Sequence, residues 1–105
     1  MREKSHRMEK VNSMLKKELS EIISEEIALP KDNFITVSFV DTSADLSEAQ
    51  VFISALKDEE EILEVLNKQS GHIRYVLGKR IRIKRTPKLL FKKDIFELNA
   101  SEAIP

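Results

Sequence analysis

The chain of 105 residues contains no cysteine and no tryptophan, and only two glycines and three prolines. The lack of cysteine excludes disulfides, zinc–thiolate sites and thiol catalysis. No run approaches the roughly 20 apolar residues that cross a bilayer. The charged N-terminus is followed by no apolar stretch of the kind found in a signal peptide. These absences predict a soluble protein of the cytoplasm with no membrane partner.

Length and composition favour a single folded domain. A chain of 105 residues has room for one modest hydrophobic core and not for two. Its hydrophobic fraction of 41% and its charged fraction of 34% are typical of a folded, highly soluble domain rather than of a disordered chain.

Charge is balanced overall but unevenly distributed along the chain. There are 18 basic and 18 acidic residues, yet residues 68–93 contain ten Lys or Arg and no Asp or Glu. Directly before this stretch, residues 58–64 contain five acidic side chains. Segregated charge creates local fields that a net charge of zero conceals. We call residues 68–93 the basic segment.

Hydrophobic periodicity predicts a long helix and two strands in the first half of the chain. Across residues 5–28 apolar side chains recur at steps of three and four, which is typical of one helical face. Pro30 disfavours helix beyond that point. Apolar residues alternate with polar ones over residues 35–39, and the run over residues 49–55 places Ala49, Val51, Ile53 and Ala55 on one face. This pattern predicts two strands of a hairpin joined by a polar loop.

Two short helices are predicted next. Asp58 and Glu61 resemble a capping pair at a helix start, and apolar residues follow at helical spacing. Ser70 and Gly71 interrupt that spacing, which then resumes, and Gly78 is a candidate C-terminal cap. The pattern therefore predicts a helix, a kink and a second helix rather than one continuous helix.

The last strand is predicted to begin near Arg80, because basic residues alternate with isoleucine from there. Thr86 and Pro87 interrupt it, and a proline within a strand marks an edge or a bulge. The predicted order is α-β-β-α-α-β, an α+β fold with the helices packed on one face of a three-stranded sheet. Residues 1–94 are expected to form this domain, and residues 95–105 a short, flexible C-terminal tail.

The sequence offers few candidates for catalysis. Its two histidines, His6 and His72, lie far apart, whereas a general base needs partners and a pocket. Asp41 and Asp45 suggest a carboxylate pair or a metal site, but turn capping explains aspartates in a loop more simply. No glycine-rich phosphate loop is present. A protein that is not an enzyme, without cofactor, metal or small-molecule substrate, is predicted.

The basic segment is the strongest functional signal. Arg80, Arg82 and Lys84 have the same parity, so an ideal strand places all three on one face. Lys68 and Arg74 lie on the preceding pair of helices, and together these residues can follow a phosphate backbone. Charged runs are commonly only solvated faces, but the lack of any acid across 26 residues favours nucleic acid.

Two residues near the helix break each allow two interpretations. Gly71 can bend the chain so that two helices pack, and it can also let an RNA backbone approach the amides of a helix N-terminus; the two roles are compatible. Tyr75 either stacks on a base or packs in the core. The residues alone leave both alternatives open.

Three blocks of the sequence resemble a known family. The first two are residues 7–12 with 17–22, and residues 37–49 with Val51. The third is Leu66-Asn67-Lys68-Gln69-Ser70-Gly71-His72-Ile73-Arg74, followed by residues 77–82, residues 85–87, Leu89 and Phe91. In content and order these blocks resemble ribosome-binding factor A, a family whose helix-kink-helix fold is similar to the type II KH domain.

The resemblance implies a noncatalytic factor that binds the 30S ribosomal subunit. Such factors assist late maturation of 16S ribosomal RNA, including processing of its 5′ end, and are linked to growth in the cold. In the family, a kink of the form Ala-x-Gly replaces the Gly-x-x-Gly loop of KH domains. The corresponding triplet here is Gln69-Ser70-Gly71, so Gln69 stands where alanine is usual.

The kink and the basic segment together give nine predicted RNA-binding residues: Lys68, Ser70, Gly71, Arg74, Lys79, Arg80, Arg82, Lys84 and Arg85. The expected partners are the 30S subunit and its 16S RNA, and the protein is expected to be a monomer. Two further functions remain open. One is a general single-stranded RNA-binding KH module, and the other is a protein-interaction module that uses the acidic helix over residues 58–64.

Overall fold

A computed structural model describes residues 2–94, with side chains from Arg7 onward. Its elements are, in chain order, α1 (Arg2–Glu26), β1 (Ile35–Thr42), β2 (Glu48–Ala55), α2 (Glu59–Lys68), α3 (Ser70–Arg80) and β3 (Lys88–Lys93). The predicted order of helices and strands is confirmed. The predicted tail, residues 95–105, lies outside the described residues. Within residues 2–94 no helix combines the length and apolar character that a membrane span requires.

The three strands form one mixed sheet in the order β1-β2-β3. β1 and β2 pair antiparallel, whereas β2 and β3 pair parallel, with Val51 opposite Phe91. Two parallel strands cannot be joined by a tight turn and need a crossover connection. The helices α2 and α3 supply that connection.

All three helices cover the same face of the sheet, as predicted. The core contains side chains from every element, namely Leu15, Leu19, Ile22 and Ile23 of α1, Val37, Val40, Val51 and Ile53 of β1 and β2, Ile62 and Leu66 of α2, Ile73 and Leu77 of α3, and Leu89 and Phe91 of β3. Full burial of such a side chain stabilises the fold by about 1.5–3 kcal/mol. The opposite face of the sheet carries a stacked pair, Phe39 and Phe52, whose ring centroids are 4.4 Å apart.

β1 extends to Thr42, beyond the end that the alternation over residues 35–39 predicted. A bulge between Val37 and Phe39 places an extra residue in the strand. Val37 and Val40 therefore both face the core, although they are three positions apart. Because a bulge shifts the parity of a strand, a pattern that depends on strict alternation ends at the bulge while the strand continues.

The predicted capping pair at the start of α2 is not formed. Asp58 has a left-handed backbone conformation, with φ 58° and ψ 41°, and its side chain makes no capping hydrogen bond. Asp is one of the residues that adopt this conformation at modest cost. Instead, the backbone N–H of Ala55 donates to Oε2 of Glu59 at 3.0 Å. This bond fixes the start of α2 to the end of β2.

The end of α3 and the start of β3 also differ from the prediction. α3 continues through Gly78 to Arg80, and the N–H of Ile81 still donates to the carbonyl oxygen of Leu77 at 3.1 Å, so Gly78 is not a cap. Residues 81–87 form a loop, because the chain must return along the sheet before it can pair parallel to β2. β3 begins only after Pro87, which has no N–H to donate to a neighbouring strand.

Candidate nucleic-acid interface

A single residue, Gln69, separates α2 from α3. Its N–H donates to the carbonyl oxygen of Val65 at 3.0 Å as α2 ends, and its own carbonyl accepts from the N–H of Ile73 at 2.9 Å as α3 begins. The predicted kink is therefore present. The glutamine fits at this position because its side chain is exposed rather than packed between the helices.

α3 has a buried side and an exposed side. Ile73 and Leu77 are fully buried in the core. One exposed stripe follows steps of three and four along the helix, and its members are Gly71, Arg74, Tyr75, Gly78 and Lys79. Tyr75 is 61% exposed, which excludes the core-packing interpretation of this residue.

The loop that follows α3 is held against the exposed side of the helix. Nε and Nη2 of Arg74 both donate to the carbonyl oxygen of Thr86, at 3.1 and 2.9 Å. A Cβ atom at Gly78 would lie 3.2 Å from Oγ1 of Thr86, closer than an ordinary van der Waals contact. Glycine at this position therefore lets the loop approach the helix. The two bonds to Thr86 leave further guanidinium N–H donors of Arg74 available.

Arg85 connects the same loop to the turn between β1 and β2. Its Nη1 donates to the carbonyl oxygen of Asp45 at 3.3 Å. Oδ1 of Asp45 accepts from the hydroxyl and the N–H of Ser47 and from the hydroxyl of Ser43. These hydrogen bonds, first those from Ser47 and then that from Ser43, lower the pKa of Asp45 to about 2, and the charge of Arg85 adds to the effect. The carboxylate thus caps its own turn.

Metal binding finds no support in the described part of the chain. No group of three or more His, Cys, Asp or Glu side chains lies close enough there to hold a metal ion. His72 lies with its Nε2 2.8 Å from Oε1 of Glu26 and is 48% exposed. The side chain of His6 lies outside the described residues.

Residues of α3 and of the loop that follows it line a shallow, open groove of about 690 Å³, which we call the α3 groove. Its lining residues are Gly71, Arg74, Tyr75, Gly78, Lys79, Arg85 and Thr86. The Nζ atom of Lys79 lies 4.6 Å from the centroid of the Tyr75 ring, within range of a cation–π interaction. Three cationic side chains and one exposed aromatic ring thus line the same groove, and no acidic side chain belongs to this lining. That combination suits single-stranded nucleic acid.

The structure brings together four of the nine predicted RNA-binding residues, because Gly71, Arg74, Lys79 and Arg85 line the α3 groove. Three others lie close to it in the chain: Ser70 is half-buried at the start of α3, and Arg82 and Lys84 are exposed in the following loop. Lys68 instead lines a separate cavity on α2, together with the acidic side chains of Glu60, Glu61 and Glu64.

Arg80 is directed towards α1 rather than towards the rest of the basic segment. Its Nε donates to Glu18 at 2.9 Å, its Nη1 donates to Glu25 at 3.1 Å, and its Nη2 donates to Glu21. Partial burial opposes the charge, but the three carboxylates outweigh it and raise the pKa of Arg80 above its ordinary value. The common strand face predicted for Arg80 and the next two basic residues is therefore wrong.

Sequence reasoning left three residues of the groove out of the predicted set: Tyr75, Gly78 and Thr86. Tyr75 lies four positions after Gly71 and four before Lys79. Helical spacing was therefore a sufficient signal for placing it beside them. No comparable signal exists for Thr86, because its contact with α3 depends on how the loop returns across the fold.

Sequence comparisons all match this chain to ribosome-binding factor A. The family model for ribosome-binding factor A matches residues 7–103. A ribosome-binding factor A from Desulforamulus reducens is 34% identical over 116 residues, which cover 96% of this chain and 97% of the relative. Another from Halothermothrix orenii is 40% identical over 94 residues, which cover 87% of this chain and 77% of the relative.

Solved structures agree with the sequence comparisons. The crystal structure of ribosome-binding factor A from Thermus thermophilus has a TM-score of 0.72 and 29% identity, covering 78% of this chain and 90% of that one. A homology model of the Thermus thermophilus factor was fitted into the cryo-EM map of a complex of ribosome-binding factor A with the 30S subunit. It has a TM-score of 0.67 and 30% identity, covering 77% of this chain and 88% of that one. The expected KH-like fold is confirmed.

Proposed function

Because this chain belongs to the ribosome-binding factor A family, we propose that it binds the 30S ribosomal subunit and contacts 16S ribosomal RNA through the α3 groove and the loop after α3. The observation that carries this proposal is that Arg74, Lys79 and Arg85 line one groove together with the exposed ring of Tyr75, in a chain whose net charge is zero. The complex of ribosome-binding factor A with the 30S subunit, into whose map the Thermus thermophilus relative was fitted, supports the choice of partner.

Two of the groove cations are already oriented for binding. Arg74 is fixed by its bonds to the carbonyl oxygen of Thr86, and Arg85 by its bond to that of Asp45. Because acceptors on the main chain hold these guanidinium groups, less side-chain freedom is lost when RNA arrives. The exposed side chains of Arg82 and Lys84 extend the charged surface beyond the groove and supply further phosphate contacts.

The proposed mechanism is noncatalytic. The protein binds, as a monomer in the cytoplasm, to one conformation of the immature subunit and is released when that conformation is no longer available. Binding shifts such an equilibrium only through a difference in affinity for the two states. The favoured conformation is the one in which late maturation of 16S RNA, including processing of its 5′ end, proceeds, and the requirement is greatest in the cold.

Sedimentation with purified 30S, 50S and 70S particles tests the choice of partner. The protein should sediment with 30S subunits at low salt, and not with 50S subunits. A general single-stranded RNA-binding module would instead bind free oligonucleotides as tightly as it binds the subunit. A protein-interaction module that uses α2 would be insensitive to changes in the groove. Failure to sediment with 30S subunits would contradict the proposed function.

A double variant, Arg82→Glu with Lys84→Glu, tests the binding surface. Both side chains are exposed in a loop, so folding should be retained, while affinity for the 30S subunit should fall by more than about tenfold through lost contacts and added repulsion. Lys16→Glu with Lys31→Glu is the matched control, since both lysines are exposed and lie outside the basic segment. Cells that carry only the loop variant should grow poorly in the cold and accumulate 16S precursor with an unprocessed 5′ end.

A further inference from the structure

We propose that the α3 groove holds one unpaired RNA base, which stacks on the ring of Tyr75 while Arg74, Lys79 and Arg85 hold the phosphates on either side. This inference rests on the proposed function, because it assumes that the surface meets RNA. It adds a chemical class of ligand, a nucleotide that is not base-paired, and a residue, Tyr75, that selects it.

Tyr75 is the first reason for the assignment. Its ring is 61% exposed, although its neighbours on the other side of α3, Ile73 and Leu77, are fully buried. The ring is not part of the hydrophobic core. It contacts the ammonium group of Lys79, which lies 4.6 Å from the ring centroid. A cation–π contact at an exposed site is weak, so Lys79 can exchange the ring for a phosphate when a base arrives.

The space beside the ring is the second reason. The groove is shallow and open, with a volume of about 690 Å³, so there is space for a flat base beside the ring. Gly71 forms part of its wall, and a Cβ atom added there would meet no atom within 4 Å. The fold therefore leaves open space at this position. A side chain at position 71 would occupy the space into which a base must move.

The charges around the groove select among ligands. Sites for single-stranded nucleic acid combine a positively charged groove with aromatic rings on which bases stack. Base-paired RNA keeps its bases within the helix and cannot offer one to Tyr75. The carboxylates of an acidic peptide could pair with the three cations, but they offer no flat ring to stack on Tyr75. The joint presence of ring and cations therefore favours an unpaired nucleotide.

Two pairs of variants test the inference through affinity for the 30S subunit. Tyr75→Leu removes the ring and Tyr75→Phe keeps it. Gly71→Leu fills the groove, whereas Gly71→Ala makes the same change of backbone freedom with a small side chain. Affinity should fall by about fivefold to a hundredfold in both leucine variants, which is the range for loss of one stacked base. The phenylalanine and alanine variants should retain more of the affinity than the leucine variants, because they keep the ring and the open space.

Salt dependence separates stacking from charge. Tyr75→Leu should lower affinity at every salt concentration without changing the slope of log affinity against log salt, because no phosphate contact is lost. Lys79→Gln should reduce that slope. Circular dichroism and melting temperature establish that each variant is folded. If either leucine variant is unstable, the affinity of the other leucine variant tests the inference, since the two substitutions are at different positions.

Tyr75 also reports on its own environment, because the chain has one tyrosine and no tryptophan. Single-stranded polyuridylate should quench its fluorescence, after correction for absorbance with free N-acetyltyrosinamide, whereas polyglutamate should not. Equal quenching by polyglutamate would overturn the assignment of an RNA base. Unchanged 30S affinity in folded Tyr75→Leu and Gly71→Leu would also overturn it while leaving the proposed function intact. Only failure of the original chain to bind 30S subunits contradicts that function.

Discussion

The side chain of Asn67 pairs with both main-chain polar groups of Phe91. Its Nδ2 donates to the carbonyl oxygen at 3.1 Å, and its Oδ1 accepts from the N–H at 3.0 Å. Phe91 lies on β3, at the edge of the sheet, where these groups point away from β2. One side chain from α2 therefore replaces the pairing that a fourth strand would supply, and this part of the edge is closed to other chains.

Removal of this pairing should destabilise the protein. Asn67→Ala leaves the N–H and carbonyl of Phe91 without a protein partner at a partly buried position, so the free energy of unfolding should fall by about 1–3 kcal/mol. Urea unfolding measures the change. Gln69→Ala is the control, because that side chain is exposed two residues away and its loss should leave stability unchanged. Equal stability of Asn67→Ala and Gln69→Ala would contradict a role for the Asn67 pairing.

Arg80 should matter for stability and not for RNA. In Arg80→Gln the cation between Glu18, Glu21 and Glu25 is lost, so three carboxylates repel one another at the contact between α1 and α3. The melting temperature should fall, while 30S affinity and its salt dependence, measured well below that temperature, should stay the same. Arg82→Gln should leave the melting temperature unchanged and should lower 30S affinity and its salt dependence. An Arg80→Gln variant of unchanged stability and weakened binding would place Arg80 on the RNA.

Binding to the 30S subunit should weaken steeply with salt. Each neutralised phosphate releases counterions, so affinity should drop about tenfold or more between about 50 and 200 mM salt if roughly two or more phosphates are contacted. Sedimentation at a series of salt concentrations gives the slope. The Arg82→Gln, Lys84→Gln double variant should show a shallower slope than Lys16→Gln, Lys31→Gln. Affinity that does not depend on salt would reject docking through phosphate contacts.

Asp45 should stabilise the fold in a pH-dependent way. Its pKa falls from 3.8 to about 2 on folding, mainly through hydrogen bonds from Ser47. Because the unfolded chain takes up the proton first, the stabilisation is complete above the unfolded value of 3.8 and is lost as the pH falls towards about 2. The difference in melting temperature between the original chain and Asp45→Asn should therefore shrink across this window.

The same comparison in a Ser47→Ala background provides the control for Asp45. Loss of the hydroxyl removes the leading cause of the lowered pKa, so the effect of Asp45→Asn should be smaller there at neutral pH. A difference in melting temperature that stays constant from neutral pH down to about pH 2 would show that the charge of Asp45 does not contribute.

Periodicity sufficed for the order of the elements and for most of the core, because the repeats of helix and strand are local properties of the chain. Periodicity failed to predict the secondary structure where contacts with residues distant in the chain determine it. The alternation that begins at Arg80 fits a strand, but three glutamates of α1 hold that residue at the end of a helix. Glu18, Glu21 and Glu25 are visible in the sequence as one helical stripe, yet nothing local identifies the cation they bind.

In the candidate site too, local periodicity predicts some positions and contacts distant in the chain determine the others. Gly71, Arg74 and Lys79 share one side of α3, so helical spacing was enough to group them, and it would have added Tyr75. The position of Arg85 beside them depends on contacts of the loop with Asp45 and α3, which no local pattern encodes. The shift of register at the bulge in β1 is likewise a property of strand pairing and not of β1 alone.

The parallel pairing of β3 with β2 imposes an order on assembly during synthesis. β1 and β2 are adjacent in the chain and can pair as soon as both have emerged from the exit tunnel, whereas β3 joins β2 only after both intervening helices have been made. Arg85 and Thr86, which close the α3 groove, immediately precede β3. A nascent chain therefore completes its proposed RNA-binding surface only after β3 has been made and has paired with β2.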